Sequence, residues 1–188
     1  MGKNKNNEYA DGFSGKIGRN LVFRQGKGDQ TIIARKPRKS LNPPHESRLE
    51  TQRAFQRGAL YANQVNANPE KKAMYAAAAK GMQTAFNLAM RDAIKPPKVS
   101  KIDASLYNGQ VGDPLIIVAL DDFKVESVVV SIHAPNGDLI EEGNAIVPEL
   151  SIDWVYTVTT ANAQLAGCKI TAVATDIPGN KGSLEITL

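Results

Sequence analysis

The second half of the chain alternates apolar and polar residues with a period of two, the spacing that predicts β-strands. The predicted strands lie at 100–104, 115–120, 127–132, 139–143, 152–159, 168–175 and 183–188. Turn residues separate them, and Asn136-Gly137 supplies the positive φ angles of a tight hairpin. Short strands with a turn about every 8–12 residues are typical of an antiparallel β-sandwich. We therefore predict a sandwich of seven strands over 98–188.

The end of this region carries a resemblance to a known family. The segment Thr171-Ala172-Val173-Ala174-Thr175-Asp176-Ile177-Pro178-Gly179-Asn180 resembles the end of a bacterial immunoglobulin-like domain, which often finishes with a strand, Ala-x-Asp, a Gly-Asn turn and a last strand. The paired cysteines and strand-C tryptophan of antibody domains are missing, and Trp154 lies on a later strand. The resemblance implies a spacer, display or adhesion role without chemistry of its own.

The first forty residues contain a glycine-rich pattern that predicts a β-hairpin after a polar, flexible arm at 1–7. A strand over 13–24, a turn over 25–29 and a return strand over 30–36 form the hairpin. Because a two-stranded hairpin alone is marginally stable in water, we expect it to pack on something else, and its edges suit pairing with another chain. The run Gly12-Phe13-Ser14-Gly15-Lys16-Ile17-Gly18 is similar to the opening of a group of short bacterial and phage-like proteins to which no activity is attached.

Two helices are predicted between the hairpin and the strands. The first runs from a cap at Asn42 to about 65, and the second runs from 68 to about 94, where Pro96-Pro97 ends it. The second helix has an apolar stripe at helical spacing, consisting of Met74, Ala78, Met82, Ala85, Phe86, Ala89 and Ala93. This stripe is interpreted as helix–helix packing, either within the chain or between chains.

These elements predict an α+β chain of three parts. A basic arm and hairpin occupy 1–40, a helical hairpin 41–95 and an immunoglobulin-like sandwich 98–188. The stretch Lys95-Pro96-Pro97-Lys98 is predicted to be a stiff, extended connector between the helices and the sandwich.

The net charge of +4 divides unevenly along the chain. Residues 1–100 carry 19 Lys and Arg against 7 Asp and Glu, a net +12, whereas residues 101–188 carry 4 against 12, a net −8. Such asymmetry points to nucleic acid, a membrane surface or a charged partner. Each half is also a suitable electrostatic partner for the other.

The basic residues of the N-terminal region are the candidate contacts for a polyanion or an acidic protein surface. They are Lys16, Arg19, Arg24, Lys27, Arg35, Lys36, Arg38 and Lys39. The run 35–39 is interpreted first as a solvated linker, with phosphate binding and docking to an acidic surface as alternatives. Aromatic residues make up 6% of the chain, which is poor for a base-stacking surface, and the acidic half would repel phosphate.

No catalytic constellation is recognisable, so we expect no enzyme activity, no cofactor and no small-molecule substrate. Gly15-x-x-Gly18 and Gly26-x-Gly28 lack the Gly-Lys-Ser/Thr of a phosphate-binding loop. His45 and His133 lack the spacing of zinc ligands and are interpreted as surface residues. Cys168 is interpreted as a small buried hydrophobe rather than a nucleophile.

Three aspartates are candidates for convergence at one end of the sandwich. The loops after the second and sixth strands of such a sandwich lie at one pole, which would bring together Asp121, Asp122 and Asp176, with Asn180 beside them. Calcium would need six or more oxygen ligands. We therefore favour capping of loop backbone and pairing with lysines over a calcium site, and expect no metal.

The chain shows no signal for export or membrane insertion. Its start is polar without an apolar signal region, no run approaches a membrane span, and its one cysteine excludes an internal disulfide. We expect a soluble protein in the cytoplasm or in an assembled particle, without membrane contact.

The expected function is that of a non-enzymatic structural subunit of a self-assembling homo-oligomer such as a filament, shell or phage-like particle. In this hypothesis the basic region is an assembly surface and the acidic module docks or is displayed. The predicted interface residues are Phe13, Ile17, Leu21, Phe23, Ile32, Met74, Ala78, Met82 and Phe86. A nucleic-acid-associated protein is the alternative, and a surface adhesion module is the third.

Overall fold

A computed structural model describes residues 2–4, 12–26, 31–37 and 45–188. Among these residues, three helices and eleven strands in three antiparallel sheets give a mixed α+β fold. The chain divides into two compact units, Met1–Leu49 and Glu50–Leu188.

The first unit contains a four-stranded antiparallel sheet. Its strands are β1 (Gly2–Asn4), β2 (Gly15–Ile17), β3 (Leu21–Gln25) and β4 (Thr31–Arg35), in the order β1-β4-β3-β2. The single strand predicted over 13–24 is wrong, because a turn through Gly18, at φ 62°, divides it into β2 and β3. The flexible arm predicted at 1–7 is also wrong for residues 2–4, which pair with β4.

The helices of the described chain are α1 (Glu46–Ala67), whose first turn belongs to the first unit, α2 (Pro69–Ala78) and α3 (Ala85–Ile94). The side chain of Asn68 caps α2 by accepting the N–H of Lys71 at 3.0 Å. The long second helix predicted over 68–94 is wrong in its middle. The chain leaves α2, turns through Gly81 at φ 61° and begins α3 behind the capping hydroxyl of Thr84. The predicted cap at Asn42 lies outside the described residues.

The helices bury a small apolar core of their own. Its buried members are Ala62, Val65, Tyr75, Ala85, Leu88 and Ala89. Of the predicted stripe, Met74 and Phe86 pack against this core, whereas Ala78 and Met82 are exposed because the helix ends between them. Phe123, which follows a strand of the C-terminal region, also packs on this core and joins the helices to the sheets.

Two further sheets form the C-terminal region. Their strands are β5 (Lys98–Asp103), β6 (Pro114–Leu120), β7 (Val125–His133), β8 (Leu139–Asn144), β9 (Trp154–Thr157), β10 (Lys169–Asp176) and β11 (Lys181–Thr187). The sheet orders are β11-β10-β7-β8 and β5-β6-β9, and both sheets contribute to one hydrophobic core. The strand predicted to start at Ile152 is wrong at that end, because β9 begins at Trp154 and Ile152 is 92% exposed.

The pairing of β7 with β10 lies at the centre of this core. Their cross-strand neighbours on the core side are Val128 with Ala174, Val130 with Ala172, and Ile132 with Ile170. All six of these residues are fully buried. The alternation of apolar and polar residues thus places one face of the sheet in the core, as a period of two requires.

The connector between helices and sheets is short and lies against the last strand. Helix α3 ends at Ile94 and β5 begins at Lys98. The carbonyl oxygen of Pro97 approaches Gly182 of β11 so closely that any Cβ at that position would overlap it. A glycine is therefore required where β11 passes the connector.

Candidate functional site

Three aspartates from different elements of the second unit form a buried cluster. Asp92 lies on α3, Asp121 in the loop between β6 and β7, and Asp176 at the end of β10. One carboxylate oxygen of each lies within 4.8 Å of one from each of the others. Asp92 and Asp176 are fully buried, and Asp121 is half-buried. The cluster therefore concentrates up to three negative charges away from water.

The strand order explains why two of these aspartates meet. Strands β7 and β10 are antiparallel neighbours, so β7 begins where β10 ends, and Val125 pairs with Asp176. The loop that leads into β7 contains Asp121, which places it at the same end of the sheets. Phe123 lies in the same loop as Asp121 and packs into the helical core, which brings helix α3 to this end of the sheets.

Asn180 holds Asp176 and contacts the helix. Its backbone N–H donates to Asp176 Oδ1 at 2.6 Å, and its side-chain Nδ2 donates to Asp176 Oδ2 at 2.8 Å. The same Nδ2 lies 3.2 Å from the main-chain oxygen of Asp92 and donates to it. One amide thereby links the turn after β10 to helix α3.

Asp121 shapes its own loop. Its Oδ2 accepts the backbone N–H groups of Phe123 at 3.0 Å and Lys124 at 2.9 Å. Its Oδ1 is buried and has no hydrogen-bond partner in the described structure. One oxygen of this carboxylate therefore supports the loop, and the carboxyl group also lies within hydrogen-bond reach of Asp92, with which it can share a proton.

Asp92 is held by a pair of tyrosines. The hydroxyl of Tyr75 donates to Asp92 Oδ2 at 2.5 Å, and the hydroxyl of Tyr61 lies 3.0 Å from that of Tyr75. The ring of Tyr75 stacks on Phe123 with ring centroids 4.4 Å apart. Asp92 Oδ1, like Oδ1 of Asp121, is buried and accepts from no N–H or O–H donor among the described residues.

The burial of these groups changes their protonation. Burial raises the pKa of Asp92 to about 7, against the lowering effect of the Tyr75 hydrogen bond, and the nearby Asp121 and Asp176 raise it further. Burial also raises the pKa of Asp176, although its hydrogen bonds from Asn180 oppose the change. Burial and the hydrogen bond to Asp92 raise the pKa of Tyr75, which stays a neutral donor. Carboxylates this close need a proton or a cation to offset their repulsion.

The sequence predicted part of this cluster. Asp121 and Asp176 converge as expected, with Asn180 beside them. Asp122 does not join them. It points instead to Arg91, with Nε at 3.3 Å, and to Lys95, with Nζ at 2.9 Å.

Sequence reasoning missed Asp92. Its position follows buried Ala85, Leu88 and Ala89 at helical spacing, so it continues the buried face of α3. A carboxylate in line with an apolar stripe is the signal that could have found it, because such a group must have partners in the core.

The predicted assembly residues of the first unit lie mostly on one face of its sheet. The register places Leu21 beside Ile17 and Phe23 beside Ile33, all on the same face. The rings of Phe13 and Phe23 are nearly perpendicular, with their centroids 6.0 Å apart. Ile32, the other predicted contact, pairs with Arg24 and lies on the opposite face.

This apolar face is partly uncovered, since Phe23 and Ile33 are half-buried and Thr31, on the same face, is buried. Phe13, Ile17 and Leu21 are 48%, 45% and 41% exposed. Within the described part of the first unit, Thr31 is the one buried residue, and no apolar side chain is buried. The sheet therefore lacks a hydrophobic core among the residues described.

The predicted basic contacts of the first unit face solvent wherever the structure describes them. The exposed ones are Lys16, Arg19, Arg24, Arg35 and Lys36. Lys16 and Arg24 lie on the face opposite Leu21, as the strand register requires. Lys27, Arg38 and Lys39 lie outside the described residues.

The remaining candidates for chemistry lie apart from the cluster. His45 is exposed and His133 is half-buried at the end of β7. Cys168 is a free, fully buried cysteine, as predicted, whose thiol donates to the carbonyl oxygen of Gln164. Neither histidine nor this cysteine belongs to the group of carboxylates.

Comparison with known proteins finds no match to the chain. No protein-family model, curated protein or solved structure matches the chain. Among the described residues, none of the helices has both the length and the apolar character needed to cross a bilayer.

Proposed function

We propose that this chain is a non-enzymatic structural subunit of a self-assembling homo-oligomer, such as a filament, shell or phage-like particle. The observation that carries the proposal is the exposed part of the apolar face of the N-terminal sheet, where Phe13, Ile17 and Leu21 are each more than two-fifths exposed. A sheet with one apolar face is stable in water when another layer covers that face.

The proposed cover is a second copy of the chain. Fully burying a side chain such as Ile, Leu or Phe contributes about 1.5–3 kcal/mol, so the three half-exposed residues offer roughly 2–4 kcal/mol per copy. Two copies related by a two-fold axis would bury the same face on each other. The opposite charges of residues 1–100 and 101–188 favour contact between copies over contact with an unrelated neutral surface.

The C-terminal region is proposed to be an immunoglobulin-like module that docks or is displayed. The orders β5-β6-β9 and β11-β10-β7-β8, with antiparallel pairing throughout, support this assignment. The loop between β8 and β9 also supports a docking role, since Leu150 and Ile152 are almost fully exposed there.

The test is a pair of substitutions on strand β3. Leu21→Glu places a charge on the apolar face, whereas Val22→Glu places the same charge on the opposite face. We expect Leu21→Glu to convert the assembly into single chains in sedimentation velocity, while Val22→Glu leaves it assembled. Assembly that survives Leu21→Glu would show that this face is not the interface.

The exposed basic side chains support a second candidate, a nucleic-acid-associated protein. Lys16 and Arg24 share one face of the sheet and are exposed, as phosphate contacts would need to be. A filter-binding titration with duplex DNA and single-stranded RNA at about 50 mM salt tests this function, because phosphate contacts are strongest at low salt. Absence of binding under that condition eliminates the candidate.

A further inference from the structure

We propose that Asp92, Asp121 and Asp176 bind one hard divalent cation, calcium in preference to magnesium, at the junction of the helices and the sheets. Their nearest carboxylate oxygens lie within 4.8 Å of one another. A calcium ion lies about 2.3–2.6 Å from each oxygen ligand, so two oxygens on opposite sides of one ion are separated by close to this distance. The three carboxylates thus have the spacing of ligands to a single ion. This inference is independent of the proposed function.

Two carboxylate oxygens of the cluster accept no hydrogen bond from an N–H or O–H donor among the described residues. Asp92 is fully buried, and its Oδ1 has no hydrogen-bond partner in the described structure, while its Oδ2 accepts from Tyr75. Asp121 has the same arrangement, with Oδ2 on backbone N–H groups and a buried, unpartnered Oδ1. Buried polar atoms in folded proteins almost always have a partner, so each of these oxygens needs one. Asp92 and Asp121 are close enough to share a proton, and a cation bound in place of that proton would satisfy both oxygens and offset the charge of all three carboxylates.

The donor atoms define the class of ion. All three side chains offer carboxylate oxygens, and no histidine or cysteine belongs to the cluster. Oxygen ligands of this kind suit calcium, magnesium and manganese, whereas zinc and copper favour nitrogen and sulfur. Calcium is preferred because it tolerates irregular geometry, while magnesium demands a near-ideal octahedron and gives up its water reluctantly.

The position of the cluster indicates what the ion would do. Asp92 belongs to α3, while Asp121 and Asp176 belong to the sheet region. The Asn180 amide and the ion pairs of Asp122 already connect the two sides at this point. A cation shared by all three would fix the helices to the end of the sheets. Because the unfolded chain would not hold this arrangement, binding would stabilise the folded protein.

The first experiment uses the full chain, stripped with EDTA and desalted. Isothermal titration calorimetry with calcium chloride is expected to show one saturable site per chain, and thermal unfolding is expected to shift to higher temperature when calcium is added. Terbium provides a readout that does not depend on stability, because its luminescence is sensitised by a nearby tyrosine and Tyr75 contacts the cluster.

Two variants and one matched control locate the site. Asp92→Asn and Asp121→Asn each remove one ligand charge and are expected to weaken calcium binding by about tenfold or more. Asp122→Asn makes the same change one residue along the chain, at a side chain that pairs with Arg91 and Lys95 instead. It is expected to leave the affinity unchanged within about twofold.

Thermal unfolding with and without calcium distinguishes loss of a ligand from a general loss of stability. Without calcium, Asp92→Asn is expected to unfold no earlier than the wild type, because it removes one charge of the cluster and its amide can donate to a neighbouring carboxylate. With calcium, the wild type and the control Asp122→Asn are expected to gain stability, whereas Asp92→Asn is not. Absence of a saturable site for calcium, magnesium and manganese in the wild type would overturn the proposal, as would undiminished binding by Asp92→Asn or by Asp121→Asn.

Discussion

The hydroxyl of Tyr75 lies 2.5 Å from Asp92 Oδ2 and donates a hydrogen bond to it inside the protein. This contact joins α2 to α3 across the break in the predicted long helix. Because Asp92 is fully buried, the hydroxyl is one of the few groups that offset the cost of removing this carboxylate from water. The helical core is thus organised around a polar pair as well as around apolar side chains.

The first prediction concerns this pair. Tyr75→Phe keeps the ring stacked on Phe123 but removes the donor to Asp92. We expect the free energy of unfolding to fall by about 1–3 kcal/mol, the cost of leaving a buried acceptor without its partner. Urea denaturation provides the measurement. Tyr61→Phe is the control, because its hydroxyl contacts Tyr75 and not the carboxylate, and we expect it to cost less. Equal costs for the two variants would contradict this account.

The second prediction is a pH dependence of the cation-free protein. The pKa of Asp92 is raised from 3.8 to about 7 in the folded state by burial, with Asp121 and Asp176 adding to the rise and Tyr75 opposing it. The folded protein therefore binds a proton more tightly than the unfolded chain. The resulting stability is complete below about pH 4 and is lost as the pH rises through about 7.

The measurement compares the wild type with Asp92→Asn in EDTA between about pH 5 and 8. The free energy of unfolding of the wild type is expected to decline relative to the variant by an amount on the order of a few kcal/mol. Two curves that stay parallel over this range would show that Asp92 does not titrate as described.

The third prediction concerns a buried glutamate that organises the end of β9. Glu141 Oε2 accepts the backbone N–H groups of Thr159 and Thr160 and the hydroxyl of Thr159, at 2.7–3.0 Å. Glu141→Ala leaves these donors without a partner, and we expect a loss of about 2–4 kcal/mol in chemical denaturation. Glu142→Ala, at the exposed next position of β8, is the matched control and should change stability by less than about 0.5 kcal/mol. A similar loss in both variants would refute the assigned role.

The fourth prediction tests the close approach of the connector to β11. A Cβ at position 182 would overlap the carbonyl oxygen of Pro97, and backbone cannot move aside as a flexible side chain can. Gly182→Ala is therefore expected to destabilise the protein by about 1–3 kcal/mol or more, as overpacking does. Ser183→Ala changes the exposed neighbour on the same strand and is expected to be nearly neutral in thermal unfolding. A neutral Gly182→Ala would mean that the connector is free of the sheet.

The strands could be predicted from the sequence because each buries one face. Buried Val128, Val130 and Ile132 are every second residue of β7, and their pairing partners on β10 are spaced in the same way. The ends of strands were less predictable, and Ile152 shows why. Its apolar side chain continues the pattern of β9, yet it lies in an exposed loop, so periodicity alone did not mark where the strand begins.

The helical region shows the limit of propensity. The alanines before position 80 favour helix strongly, and this preference hid the break that Gly81 and Thr84 signal together. The cluster was half predictable, because strand topology places Asp121 and Asp176 at one end. Asp92 reaches them through the packing of α3 on Phe123, a long-range contact that no local pattern contains.

The mass of the protein in solution tests the central claim most directly. Multi-angle light scattering of the full chain, at high concentration and low salt, is expected to give a multiple of the 20.3 kDa of one chain. Leu21→Glu should return the mass to that of one chain under the same conditions. A wild-type mass of 20.3 kDa at every concentration would contradict the assignment of this chain as a self-assembling subunit.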